Sequence, residues 1–193
     1  MNIILGSKSP RRRELFAGLD VPFTALNIEC DESYPSSLTA GDIPMYIARS
    51  KARAYMPRLT ANDILVTADT IVWLDGEMLG KPVNVSDAKE MLCRLSGKTH
   101  QVFTAVCITT LSSQKEFVCS TDVSFKSLSP AEIDYYVEKY MPLDKAGAYG
   151  IQEWIGYVGV TSIHGSFYNV MGLPVQRLSE VLRTDFGVTF GLQ

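Results

Sequence analysis

Asn2-Ile3-Ile4-Leu5-Gly6-Ser7-Lys8-Ser9-Pro10-Arg11-Arg12-Arg13 changes character within twelve residues. Asn2 to Gly6 is apolar and reads as a buried strand. Ser9 and Pro10 then open a helix. A serine hydroxyl can accept from an unpaired first-turn N–H, and proline at the first helical position has no N–H to lose. Strand, short Gly/Ser loop and helix in that order begin an α/β protein. Three arginines fall in the first helical turn, where the dipole is already positive and free N–H groups point outward. A bound anion relieves both conditions, and strand-loop-helix is a good arrangement for binding phosphate. A solvated basic face is the other reading. The stretch does not match the Walker A spacing GxxxxGK[ST].

Working outward, Ile43 to Tyr55 reads as a second helix. Ile64 to Ala68 is a strand, and Ile71 to Leu74 continues it or starts another. Asp75-Gly76 is a hairpin turn signal. Ala88, Met91, Leu92 and Leu95 fall at helical spacing after Ser86, and Gly97 can stop that helix. His100 to Leu111 and Glu116 to Leu128 are rich in Val, Thr and Phe and read as an antiparallel pair joined near Ser112-Ser113. Ser129-Pro130-Ala131-Glu132 is a capping box, and its helix carries Ile133, Tyr136, Val137 and Tyr140 on one face. Short strands are expected between Tyr157 and Val170, then a last helix marked by Val175, Leu178, Val181 and Leu182. Helices alternate with strands while some strand pairs are hairpins, which predicts an α/β fold with a mixed sheet.

Composition narrows the function. Of the 193 residues 46% are hydrophobic and 20% charged, the balance of an ordinary protein with a sizeable core. A single domain over residues 1–193 is expected. The net charge of -3 argues against a nucleic-acid coat, so any phosphate site must be a local cluster of Lys and Arg. The start lacks a basic n-region and a cleavage site, and no run approaches the roughly 18 apolar residues that span a bilayer. A cytoplasmic location without membrane contact is expected. Cys30, Cys93, Cys107 and Cys119 form no CxxC pair, which argues against a zinc or redox motif. Cys107 and Cys119 fall on strands predicted to be neighbours, so a disulfide is geometrically conceivable. Nothing points to an oxidising compartment, and free thiols are expected.

Further residues carry chemistry. Asp69 lies in Leu65-Val66-Thr67-Ala68-Asp69-Thr70-Ile71-Val72, a run otherwise apolar or small. A carboxylate there is costly unless paired, metal-bound or catalytic; a strand-end Asp capping a turn is the alternative. Lys51 shares a helical face with Ile47, Ala54 and Tyr55, so it either snorkels outward or reaches into a cleft. Lys81 sits in Gly80-Lys81-Pro82, where lysines are commonly solvated. Asp144-Lys145-Ala146-Gly147-Ala148-Tyr149-Gly150-Ile151-Gln152 reads as a loop whose small residues permit close backbone approach, and Gln152 can donate and accept at once. No GxSxG nucleophile elbow is present, and His100 and His164 are read as structural.

Taken together, these stretches resemble the Maf family of nucleotide pyrophosphatases nearly end to end. The resemblance rests on Ser7 with Ser9-Pro10-Arg11-Arg12, Glu32, Lys51-Ala52-Arg53, Ala68-Asp69-Thr70 and Lys81-Pro82. It continues through Leu95-Ser96-Gly97-Lys98-Thr99-His100, Thr121-Asp122, Asp144 to Gln152, and Gly165-Ser166 with Gly172-Leu173-Pro174. The Ala-Asp-Thr and Tyr-Gly-Ile-Gln versions look like the dTTP/UTP branch rather than the 7-methyl-GTP branch. Arg13 is an extra basic residue after the paired arginines. The resemblance implies an elongated mixed sheet flanked by helices, two lobes with a central cleft, and cleavage of dTTP and UTP to the monophosphate and pyrophosphate. It implies a divalent cation, Mg²⁺ or Mn²⁺, with Glu32 and Asp69 as the carboxylates near it. By family role Asp69 is the catalytic proton acceptor. Arg11, Thr70 and Gln152 are tied to base preference. Ser7, Arg12, Lys51 and Lys81 match polar positions toward the phosphates.

Two rivals differ in kind. One is a nucleotide-sensing regulator acting through a partner, but a pure binder has less use for a carboxylate beside phosphates. The other is an inosine/xanthosine triphosphate pyrophosphatase, which base competition distinguishes. A nucleoside triphosphate is the expected partner, a nucleic-acid polymer is not, and a homodimer is compatible with the sequence.

Overall fold

The computed structural model describes residues 1–191. Its strands are β1 (Asn2–Gly6), β2 (Phe23–Leu26), β3 (Asp63–Leu74), β4 (Glu77–Leu79), β5 (Thr99–Thr109), β6 (Gln114–Phe125) and β7 (Val160–His164). Its α-helices are α1 (Pro10–Ala17), α2 (Asp42–Tyr55), α3 (Val85–Leu95), α4 (Pro130–Tyr140), α5 (Trp154–Gly159), α6 (Phe167–Met171) and α7 (Val175–Phe186). The strands pair in the order β2-β1-β3-β5-β6-β7, with β4 on β3. β1 is parallel to both β2 and β3, whereas β3–β4 and β6–β7 are antiparallel. This is the mixed α/β sheet expected.

The chain forms two compact units. Among the described residues, the first comprises 1–69, 104–119 and 172–191; the second comprises 70–103 and 120–171. β3 passes from one to the other between Asp69 and Thr70. In the first unit, Ile4 of β1 and Leu65 of β3 pack with Met45, Ala48 and Ala52 of α2, and with Ala105 and Cys107 of β5. In the second, Leu92 and Leu95 of α3 pack with Ile133, Tyr136 and Val137 of α4, and with Val123 and Phe125 of β6. Leu92 and Leu95 are wholly buried, and burying a leucine stabilises by about 1.5–3 kcal/mol.

Local sequence accounts for most boundaries. Ser9 caps α1 with Pro10 behind it, and Ser129 and Glu132 form a reciprocal capping box on α4. Asp75 and Gly76 take φ of 52° and 85°, the double positive φ of a type I′ hairpin. Helix α3 begins one residue earlier than Ser86, because the Asn84 side chain accepts from the Asp87 N–H.

One open reading is settled and one expectation is corrected. Ile64–Ala68 and Ile71–Leu74 are one unbroken strand, so Asp69 lies mid-strand rather than capping a turn at its end. Between Tyr157 and Val170 only β7 is a strand; Tyr157 belongs to α5, and α6 follows β7. The aromatic and β-branched residues there favour strands, but the chain turns tightly at Gly156. Its N–H donates to the Glu153 carbonyl, and a Cβ at Gly156 would sit 1.8 Å from the Ile151 carbonyl oxygen. β2 carries no strong sequence signal and is held by parallel pairing with β1. All four cysteines are free, as expected. Among the described residues no helix is long and apolar enough to cross a membrane.

Candidate active site

In the first unit β1 delivers the chain to Ser7, which is buried. The Ser7 Oγ accepts the Ser9 N–H at 3.2 Å, and Ser9 Oγ in turn accepts the Arg12 N–H at 3.4 Å. The loop is thereby folded onto the N-terminus of α1. The three arginines expected to face an anion part company. Arg13 turns back, and its Nε and Nη2 donate to the Ser7 carbonyl at 3.1 and 3.0 Å. Arg12 Nε donates to the Gly172 carbonyl at 2.7 Å. Burial pulls the Arg12 guanidinium down from its ordinary value, Asp69 and Glu32 hold it up, and Arg11 pushes it down. Arg12 therefore feels the field of both carboxylates.

Asp69, Lys51 and Glu32 come together through one hydrogen bond of the core. The buried Thr67 hydroxyl donates to the Ala48 carbonyl at 2.8 Å, which registers α2 over β3. Asp69 lies two residues beyond Thr67 and so on the same face of the strand. Lys51 lies three residues beyond Ala48 and so on the same face of the helix. The two side chains meet, with Lys51 Nζ 2.9 Å from Asp69 Oδ1. Glu32, from the connection between β2 and α2, places Oε1 3.0 Å from the same nitrogen. The Lys51 side chain is only 11% exposed, against 16% for Asp69 and 54% for Glu32. This ammonium reaches inward rather than snorkelling out.

The donor set suits a small hard cation. Sharing one nitrogen, the two carboxylate oxygens lie within about 6 Å of each other. Mg²⁺ is commonly held by one or two carboxylates, with waters and substrate phosphates completing the shell. No cluster of three or more acidic, His or Cys side chains occurs among the described residues, so a cation held here would need phosphate and water to complete its shell. Burial raises the nearby Cys30 thiol above its ordinary value, with Lys51 opposing.

Thr70, Lys81 and Gln152 belong to the second unit. Thr70 follows Asp69 on β3, and its side chain alternates to the other face. Lys81 is exposed but its backbone is pinned: the Gly80 carbonyl accepts the Gly147 N–H at 3.0 Å, and Pro82 is buried. Gln152 sits in a turn closed by the Glu153 N–H donating to the Gly150 carbonyl at 2.9 Å. Its Oε1 is buried with no hydrogen-bond partner among the described residues. Such an acceptor is costly to leave unmade, by about 1–3 kcal/mol, and a ligand N–H would satisfy it.

Sequence reasoning passed over Lys145. It is 7% exposed, and its Nζ lies 2.9 Å from Asp144 Oδ1 and 3.0 Å from Glu153 Oε1. The available signal was a lysine among small residues, where a solvated charge is unusual. His100 is buried, with Nε2 2.7 Å from the Tyr149 hydroxyl, and burial pushes it down to about 4. It is a neutral core residue, and His164 is exposed on β7. Neither contradicts the structural role expected for them.

The Maf-like protein family matches residues 2–185. A Bacteroides thetaiotaomicron protein named dTTP/UTP pyrophosphatase is 59% identical over 177 residues, covering 91% of this chain and 92% of its own. A Porphyromonas gingivalis protein of the same name is 52% identical over 188 residues, covering 96% and 94%. The Staphylococcus aureus Ham1 protein superposes on 65% of this chain and 72% of its own, at 13% identity and a TM-score of 0.49. With nearly its whole length matched, this chain belongs to the Maf-like protein family.

Proposed function

We propose that this protein hydrolyses dTTP and UTP, or modified pyrimidine counterparts, to the nucleoside monophosphate and pyrophosphate. The observation that carries the chemistry is the buried Lys51 ammonium held between Asp69 and Glu32, with Arg12 in the same field. Cleavage between the α and β phosphates needs a water nucleophile and cover for spreading phosphate charge. Lys51, Arg12 and Lys81 supply that positive charge, and Ser7 supplies a polar contact. Asp69 takes the proton of the attacking water. A divalent cation, when bound by Glu32 and Asp69, adds Lewis acidity toward water and phosphate oxygens.

Base choice falls to Arg11, Thr70 and Gln152. Uracil and thymine present an N3–H between two carbonyls, and the Gln152 Oε1, without a partner among the described residues, is the acceptor that such a donor needs. Tolerance of both dTTP and UTP goes with weak reading of the 2′-OH and the 5-methyl. Cytoplasmic residence, beside the nucleotide pool, goes with this activity.

The test is a panel of dTTP, UTP, CTP, ATP, GTP, ITP and XTP with Mg²⁺ or Mn²⁺, scoring pyrophosphate against orthophosphate. Pyrophosphate release fastest from dTTP and UTP is the expected result. Orthophosphate alone, or a preference for purines, overturns the assignment.

A further inference from the structure

The turn that carries Gln152 is tied at both ends to one hydroxyl. Gly150 opens it, and the Gly150 N–H donates to the Tyr136 hydroxyl oxygen at 3.0 Å. Glu153 closes it, and the Tyr136 hydroxyl donates its proton to Glu153 Oε2. The turn's own hydrogen bond links the same two residues, from the Glu153 N–H to the Gly150 carbonyl. Ile151 and Gln152 are its central pair, and Ile151 is buried in the core. Glu153 Oε1 is also held by Lys145 at 3.0 Å.

Three further facts show how little play this arrangement has. Tyr136 is wholly buried on α4, where Ile133 and Val137 flank it in the core. A Cβ at Gly150 would lie 2.8 Å from the Glu153 carboxyl carbon and 3.1 Å from Lys145 Cε, so backbone and side chains are already in contact. Burial, then the Glu153 carboxylate, push the Tyr136 hydroxyl up, which keeps it a protonated donor across the working pH range. Within the turn that this network holds, the buried Gln152 Oε1 has no hydrogen-bond partner among the described residues. Satisfied buried networks rigidify what they hold, and this one holds an acceptor without a partner among the described residues.

We infer that Tyr136 and Glu153 are positioning residues for base selection, clamping the turn from Gly150 to Glu153 so that the Gln152 amide is set before substrate arrives. The inference rests on the reading of Gln152 as the base contact. It adds that selectivity depends on a hydroxyl on α4 that touches no substrate.

The test measures kcat/KM for dTTP and ATP in Tyr136→Phe, Glu153→Gln, Gln152→Ala and the double variant Tyr136→Phe/Gln152→Ala, with thermal melts alongside. Tyr136→Phe keeps the ring and removes the clamp. It lowers the dTTP-to-ATP ratio by roughly 3- to 10-fold, through KM for dTTP, with ATP turnover unchanged within about twofold. Glu153→Gln moves the ratio the same way. In the Gln152→Ala background Tyr136→Phe changes the ratio no further, the signature of action through Gln152 rather than of general loosening. If Gln152→Ala shrinks the ratio while folded Tyr136→Phe and Glu153→Gln leave it intact, the clamp is overturned and the base contact stands. Additive losses in the double variant also overturn the clamp. If Gln152→Ala itself leaves the ratio intact, the base contact fails and the clamp with it. Should Tyr136→Phe fail to fold, Glu153→Gln carries the same comparison.

Discussion

Asp69→Asn separates chemistry from structure at the centre of the candidate site. The substitution is nearly isosteric and leaves an oxygen for Lys51 Nζ, which now lies 2.9 Å from Asp69 Oδ1. It removes one charge and the ability to accept a proton from water. Orphaning one member of a buried ion pair costs about 3–5 kcal/mol. Here the ammonium keeps Glu32 at 3.0 Å, so it is not orphaned. The stability loss is then nearer that of a weakened charge-assisted hydrogen bond, about 1–2 kcal/mol. At about 2–4 °C per kcal/mol for a chain of this size, the melt falls by roughly 2–8 °C. The activity loss is much larger, about 10²- to 10⁴-fold in kcat, the range for removing a general base. The assay is pyrophosphate release at saturating dTTP, beside a thermal melt of the same preparation. Repeating it across Mg²⁺ concentrations tells the two roles of Asp69 apart: a lost metal ligand is partly rescued by more metal, a lost base is not. Turnover within a few-fold of normal in a protein that melts normally would refute the reasoning, and leave Asp69 as the structural counter-ion of Lys51.

Two further outcomes follow from the same geometry. Thr67→Val keeps the core volume but loses the 2.8 Å hydrogen bond to Ala48 that registers α2 over β3. It lowers kcat/KM several-fold for every triphosphate alike at about 1 kcal/mol of stability, and a changed dTTP-to-ATP ratio would contradict that registering role. His100 is held down at about 4 in the folded chain against an ordinary 6.5, so the unfolded chain binds more protons between those values. Its contribution to stability is full above pH 6.5 and is lost as pH falls toward 4, reaching roughly 3 kcal/mol at about 1.4 kcal/mol per pH unit. Urea unfolding of the wild type and His100→Gln across pH 8 to 4.5 checks the sign: the substitution should flatten the acid-side slope, and an unchanged slope refutes it.

Local chemistry was legible in the chain because local groups determine it. The Ser9 and Ser129 caps, the Asp75-Gly76 hairpin and the buried face of α4 each depend on residues within four positions of one another, and all are where the spacing places them. The alternation of strands and helices made the α/β class readable, and several short motifs in order made the family readable. Other features depend on contacts beyond the reach of one helical turn. That α5 replaces a strand near Tyr157 was decided by the approach of Gly156 to the Ile151 carbonyl, which overrides a preference for extended backbone. Arg13 looked like a third anion ligand until the loop folded back and offered it the Ser7 carbonyl. Lys51 had two destinations on its helical face. Only the registry of α2 on β3, set by the Thr67 hydroxyl, put Asp69 in its path. Lys145, Glu153 and Tyr136 went unremarked as a group, because nothing in their spacing shows that one hydroxyl ties both ends of the turn bearing Gln152. Composition and spacing determine which groups a chain carries and how each segment begins and ends; which buried donor meets which buried acceptor is decided only when distant segments pack.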